Sequence, residues 1–151
     1  MTHSPSVSSR RIGLVLAGAL VATLPILATA QKKAPAAASA VTTASGLIFS
    51  SVREGKGPSP TAADQVKVNY RGTFPDGREF DSSYTRNAPA TFPLGRVIPC
   101  WTEGVQRMKV GGKAKLTCPP QIAYGERGAG GVIPPNATLN FEIELLEINP
   151  R

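Results

Sequence analysis

Tyr70, Phe80, Phe92, Trp101, Tyr124 and Phe141 stand at strand ends and loop edges. Two apolar pairs, Val97-Ile98 and Val132-Ile133, sit in loops flanked by proline or glycine. Rings and branched side chains so placed either complete a core or line a dry slot that grips an apolar group, and composition alone leaves both readings open. Asp81, directly after Phe80 and before Ser82-Ser83, is the odd polar member of the set. The chemistry open to such a collection is non-covalent: shape, exclusion of water and a few directed hydrogen bonds.

Residues suited to covalent or metal chemistry are scarce. His3 is the only histidine, and it lies in a segment read below as removed. Without imidazole, Ser-His-Asp and Cys-His catalysis and most zinc chemistry fall away. Gly111-Gly112-Lys113 fails as a phosphate loop, because Arg107 occupies the position of the earlier glycine and Ala114 that of the magnesium-binding hydroxyl. The run Gly125 to Gly131 does not follow the dinucleotide-binding order either. Seventeen Lys+Arg against ten Asp+Glu give a net charge of +7. These cations are dispersed and mostly alternate with apolar residues, so they read as solvated strand faces and not as a nucleic-acid surface. Neither a metal nor a cofactor is expected.

The positioning elements follow from periodicity. Val66, Val68 and Tyr70 alternate with polar neighbours, as do Leu139, Phe141, Ile143 and Leu145, which predicts two half-buried strands. Lys113–Cys118 reads as a third, stopped by Pro119-Pro120. Leu47–Val52 is a weaker fourth, and Glu79–Ser83 a fifth after the turn Pro75-Asp76-Gly77. One helix is predicted from Cys100 or Trp101 to just before Gly111-Gly112, with Trp101, Val105 and Met108 on one face. Several antiparallel strands and one helix make an α+β domain. Fifteen glycines and fourteen prolines supply its turns. From the Gly111-Gly112 turn the helix returns about 13 Å and the strand runs about 16 Å, so Cys100 and Cys118 should lie close together. They form either a disulfide or two buried thiols; a bridge would stabilise by about 3 kcal/mol in the chain-entropy account.

Upstream, Arg10-Arg11 precede an apolar stretch from Ile12 to Leu27, followed by Ala28-Thr29-Ala30 with small-x-small spacing. The stretch is short for a bilayer span, which needs about 20 residues. It reads as an export signal, residues 1–30, cleaved near Ala30. Loss of Arg10 and Arg11 with it leaves a net charge of +5. Residues 31–45 are rich in Ala, Lys, Pro, Ser and Thr and read as a flexible linker, too poor in apolar area to offset chain entropy. The folded domain is then expected over 46–151, a length that supports one real core.

The segments Val68-Asn-Tyr-Arg-Gly72, Asp76-Gly-Arg-Glu-Phe-Asp-Ser-Ser83, Val97-Ile-Pro-Cys-Trp101, Glu103-Gly-Val105, Ala123-Tyr-Gly125, Gly131-Val-Ile-Pro-Pro-Asn-Ala-Thr138 and Phe141–Leu146 together closely resemble an FKBP-type peptidyl-prolyl cis-trans isomerase of the exported bacterial kind. The likeness runs through 46–151 in one order without large gaps. It implies a curved antiparallel sheet wrapped around one short helix. It also implies an enzyme that accelerates rotation about Xaa-Pro bonds in exported polypeptides and so assists their folding in the periplasm, without metal or covalent intermediate. The competing reading is a non-catalytic chaperone that holds unfolded chains in the same groove.

Carried over by position, the resemblance implies a proline pocket of Tyr70, Phe80, Phe92, Val97, Ile98, Trp101 and Phe141, with Trp101 as its floor. The Tyr124 hydroxyl and the Ile98 N–H would hold substrate carbonyls. Asp81 would sit at the rim, oriented by Tyr70 and Arg86, in a structural and electrostatic role, since bond rotation has no proton transfer to serve. Val132 and Ile133 would form a flap after Tyr124. Proline-containing unfolded or partly folded polypeptides are the implied partners, with macrolides as inhibitors, and the domain is expected to act as a monomer. Two positions depart from the family pattern: Ala90 where an aromatic wall is common, and Ala129 where a flap histidine is common. Both leave the slot more open on one side.

Overall fold

In β3 (Gln65–Thr73) the side chains of Val66, Val68 and Tyr70 turn inward while their neighbours meet solvent, and β7 (Leu139–Asn149) does the same with Leu139, Phe141, Ile143 and Leu145. This period-two pattern buries one face of each strand and fixes register, because a slip of one residue would turn the whole apolar set outward. The structure is a computed structural model that describes residues 39–150. The expected export signal and the first part of the linker lie outside the described residues.

The remaining strands are β1 (Val41–Thr42), β2 (Ile48–Arg53), β4 (Glu79–Ser82), β5 (Ala90–Pro93) and β6 (Lys113–Cys118). All pairings are antiparallel, in the order β1-β2-β6-β7-β3-β4, and the sheet is not closed. β5 shares the free edge of β3 with β4: it pairs with Gln65–Val68, and β4 with Arg71–Thr73. Between the two, Ser83 completes the edge. Its N–H donates to the Tyr70 carbonyl at 2.9 Å, and its Oγ accepts the Tyr70 N–H at 2.8 Å. A buried backbone pair that no strand reaches is thereby satisfied. Irregular registers at Ser51/Arg53, Lys67/Val68 and Gly72/Thr73 bend the strands and raise their twist.

The one α-helix among the described residues, α1 (Pro99–Gln106), starts with proline at its first position, where the missing N–H is no loss and φ is preset. Cys100, Trp101, Gly104 and Val105 form its buried face. A Cβ at Gly104 would fall 2.1 Å from Leu116 Cδ2, so only glycine lets the helix lie this close to β6. The helix is shorter than the sequence predicts. Arg107 closes it with its N–H on the Gly104 carbonyl, and the Met108 N–H donates to the Val105 carbonyl, which leaves Met108 in the following turn, still buried in the core. Pairing also begins ahead of the expected boundary at Gly46, since Val41 and Thr42 lie against Phe49 and Ile48. Cys100 and Cys118 are both fully buried and joined as a disulfide, with their Cα atoms 5.7 Å apart. Among the described residues no helix is long and apolar enough to cross a membrane.

Candidate active site

A cavity of about 340 Å³ opens where β3, β4, β5 and β7 meet the start of α1. β3 contributes Tyr70, β4 contributes Phe80 and Asp81, β5 contributes Phe92 and β7 contributes Phe141. The turn leading into α1 brings Arg96, Val97 and Ile98, the helix brings Trp101, and the loop after β6 brings Tyr124. A second cavity of about 310 Å³ lies over outward-facing residues of β3, β6 and β7 and is walled largely by polar side chains such as Arg71, Lys115, Thr117 and Asn140. The first is walled by six aromatic rings, and of these Phe141 alone also borders the second.

Trp101, 5% exposed, lies among three rings packed edge to face: Tyr70 at 5.2 Å, Phe141 at 5.3 Å and Phe92 at 5.5 Å between centroids. Such edge-on contacts suit the ring quadrupoles and hold each ring in one orientation. Phe80 continues the set, edge on to Phe141 at 5.6 Å. Its place depends on Gly72, where a Cβ would come within 2.5 Å of Phe80 Cζ. The Trp101 indole N–H is buried without an acceptor among the described residues. An unmet donor costs stability, and such costs are often tolerated at working surfaces.

At the rim, the Tyr70 hydroxyl donates to Asp81 Oδ2 at 2.5 Å. Arg86 reaches both partners, with Nη1 on Asp81 Oδ1 at 2.5 Å and Nη2 on the Tyr70 hydroxyl at 2.8 Å. Burial pushes the Asp81 carboxyl upward, but the hydrogen bonds from Tyr70 and Arg86 outweigh it and hold the group below the usual aspartate range. Burial, reinforced by the Asp81 hydrogen bond, raises the Tyr70 hydroxyl, and burial with the Asp81 charge raises that of Tyr124. At neutral pH the site therefore holds one carboxylate and two protonated phenols.

Asp81, depressed in the folded state, favours folding at pH values above its unfolded pKa of about 3.9, and that contribution is lost as pH falls through its lower folded value. The tyrosines, raised in the folded state, contribute fully below their unfolded value of about 10 and lose this as pH rises through their folded values. Activity of this site is expected to stay flat from about pH 6 to 9. An initial-rate profile with an inflection near 6.5 would contradict the arrangement.

Of the residues expected in the site, Val132 and Ile133 do not line the cavity. A tight turn, closed by Ala129 N–H to the Ile133 carbonyl at 2.9 Å, carries Val132 out to 56% exposure and turns Ile133 into the core at 6%. Arg96 lines the cavity and was not expected there, although it is the only charged residue between Arg86 and Glu103. Tyr124 is 40% exposed, and its hydroxyl makes no hydrogen bond among the described residues. Neither Ala90 nor Ala129 reaches the lining.

Comparison with known proteins agrees with this geometry. The profile of the FKBP-type peptidyl-prolyl cis-trans isomerase domain matches residues 57–146. The chain is 53% identical over 109 residues to the FKBP-type peptidyl-prolyl cis-trans isomerase FkpA of Escherichia coli strain K12, covering 72% of this chain and 40% of that protein. It is 53% identical over 106 residues to the FKBP-type 22 kDa peptidyl-prolyl cis-trans isomerase of the same strain, covering 70% of this chain and 52% of the relative. The chain thus spans well under two thirds of either relative. The crystal structure of Escherichia coli FkpA superposes with a TM-score of 0.72 at 52% identity, covering 74% of this chain and 52% of that one. A peptidyl-prolyl cis-trans isomerase from Pseudomonas syringae pv. tomato superposes with a TM-score of 0.69 at 39% identity, covering 78% and 84%. With the profile matched across most of the folded region and the same sheet and helix in solved relatives, the chain belongs to the FKBP-type peptidyl-prolyl cis-trans isomerase family.

Proposed function

We propose that this chain is a peptidyl-prolyl cis-trans isomerase that rotates Xaa-Pro bonds in exported, proline-containing, unfolded or partly folded polypeptides. The observation that carries the reading is the ring-walled cavity on Trp101, of a size for a proline ring. An amide resists twisting by about 18–20 kcal/mol because the C–N bond has partial double-bond character. In the twisted state that resonance is lost and charge returns from the carbonyl oxygen to nitrogen. A dry slot that holds the proline ring while the preceding residue turns favours that state over either planar one.

Tyr124 is the hydroxyl donor in this reading, since burial keeps it protonated and it has no partner among the described residues. The Ile98 carbonyl accepts the N–H groups of Trp101 and Thr102 in the first turn of α1, and the N–H of Ile98 serves the substrate. Two anchors on the flanking chain confine rotation to one bond. Asp81 fixes Tyr70 and Arg86, and the Asp81–Arg86 ion pair keeps the rim polar. Val132, exposed on its turn, adds apolar surface for longer chains. Arg10-Arg11, the apolar run to Leu27 and Ala28-Thr29-Ala30 support export to the periplasm, with cleavage near Ala30. We further propose that the domain works as a monomer and admits macrolide inhibitors through the same cavity.

The test is cis-to-trans relaxation of a short Xaa-Pro peptide. Wild type is expected to accelerate it, and Tyr124→Phe to lower kcat/KM about three- to ten-fold, the worth of one hydrogen bond. Peptide binding without any acceleration would instead mark a chaperone groove.

A further inference from the structure

Among the residues lining the cavity only Asp81 and Arg96 carry charge, and the two are not equivalent. Both oxygens of Asp81 are engaged, one by Arg86 and one by Tyr70, so its charge is neutralised within the rim. Arg96 makes no ion pair and no side-chain hydrogen bond among the described residues. It is therefore the unbalanced charge at the mouth.

Its base is well fixed. The turn Leu94–Arg96 is held on one side by Leu94 N–H donating to the Asp64 carbonyl at 2.9 Å. On the other, the Thr102 hydroxyl donates to the Leu94 carbonyl at 2.7 Å. Leu94 is fully buried, and a Cβ at Gly95 would come within 2.8 Å of the Ala62 carbonyl, so the turn lies tight against the preceding loop. A fixed base with a free, exposed guanidinium suits a charged group that selects among incoming chains. A guanidinium over a low-dielectric cavity favours carboxylates, singly or as a two-pronged pair.

We infer that Arg96 sets substrate preference, biasing the cavity toward polypeptides with an acidic side chain next to the proline and against those with a basic one. This rests on the isomerase reading above and adds a substrate class to it.

The test uses peptides that differ only in Glu, Gln or Lys before proline, with kcat/KM measured for wild type, Arg96→Gln and Arg96→Lys. The Glu:Lys ratio, each value referred to Gln, is expected to fall about two- to five-fold in Arg96→Gln, the size of an exposed ion pair. It should be retained in Arg96→Lys and shrink in wild type at high salt. A ratio unchanged by Arg96→Gln overturns the inference. If no peptide is accelerated, the isomerase reading fails, and the same ratio taken from calorimetric peptide affinities still decides the role of Arg96.

Discussion

Trp101→Leu is expected to lower kcat/KM for prolyl isomerisation about ten- to hundred-fold, a loss of about 1.4–2.7 kcal/mol of transition-state stabilisation. The indole contacts three rings edge to face, and each such pair is worth about 0.5–1.5 kcal/mol beyond burial. Leucine cannot fill that space, so the floor drops and the neighbouring rings lose their fixed orientation. Stability should fall by about 2–4 kcal/mol, below the cost of the largest core truncations because one side of the site is already open. A domain with about 5–15 kcal/mol in hand remains folded in the cold, so turnover is readable apart from unfolding. Trp101→Phe, which keeps a ring, should stay within about ten-fold of wild type. A folded Trp101→Leu variant with undiminished turnover would remove the indole from the mechanism.

The second large effect concerns stability. Cys100 opens the helix just after Ile98, and Cys118 ends β6 just before the loop that carries Tyr124. Their sequence separation of 18 gives a bridge worth about 3 kcal/mol when the unfolded chain is constrained. Reductant, or Cys100→Ala with Cys118→Ala, is expected to lower the thermal midpoint by about 10–20 °C for a domain of this size. Equal midpoints with and without reductant would show that the pair adds nothing. Because the bridge ties the start of α1, which lines the cavity, to the strand end from which the Tyr124 loop departs, KM for peptide should rise in the reduced form at temperatures where it is still folded.

Much of this architecture is legible in the sequence. Strands with strict alternation over several residues, such as Val66–Tyr70 and Leu139–Leu145, announce themselves because burying one face demands that period. β6 is delimited by the proline pair that follows Cys118. β5 was not legible. Ala90-Thr91-Phe92-Pro93 is too short and ends in proline, and only the exposed edge of β3 makes it a strand. The sequence pattern runs past the true helix end because Met108 keeps the helical spacing although Arg107 already caps the turn. In the site, ring types and Asp81 stood out by residue type, but their convergence from separate segments came from family resemblance and not from periodicity. The flap pair shows the limit: adjacency in sequence grouped Val132 with Ile133, and the turn sent them in opposite directions.

The lone indole at the base of the cavity has a practical corollary. With no other tryptophan in the chain, the ultraviolet emission of this protein originates from a single buried ring whose N–H meets no acceptor among the described residues. Its colour should be shifted to the blue of a water-exposed indole and should respond when a guest settles upon it. Occupancy and unfolding can thus be followed optically, with no dye attached.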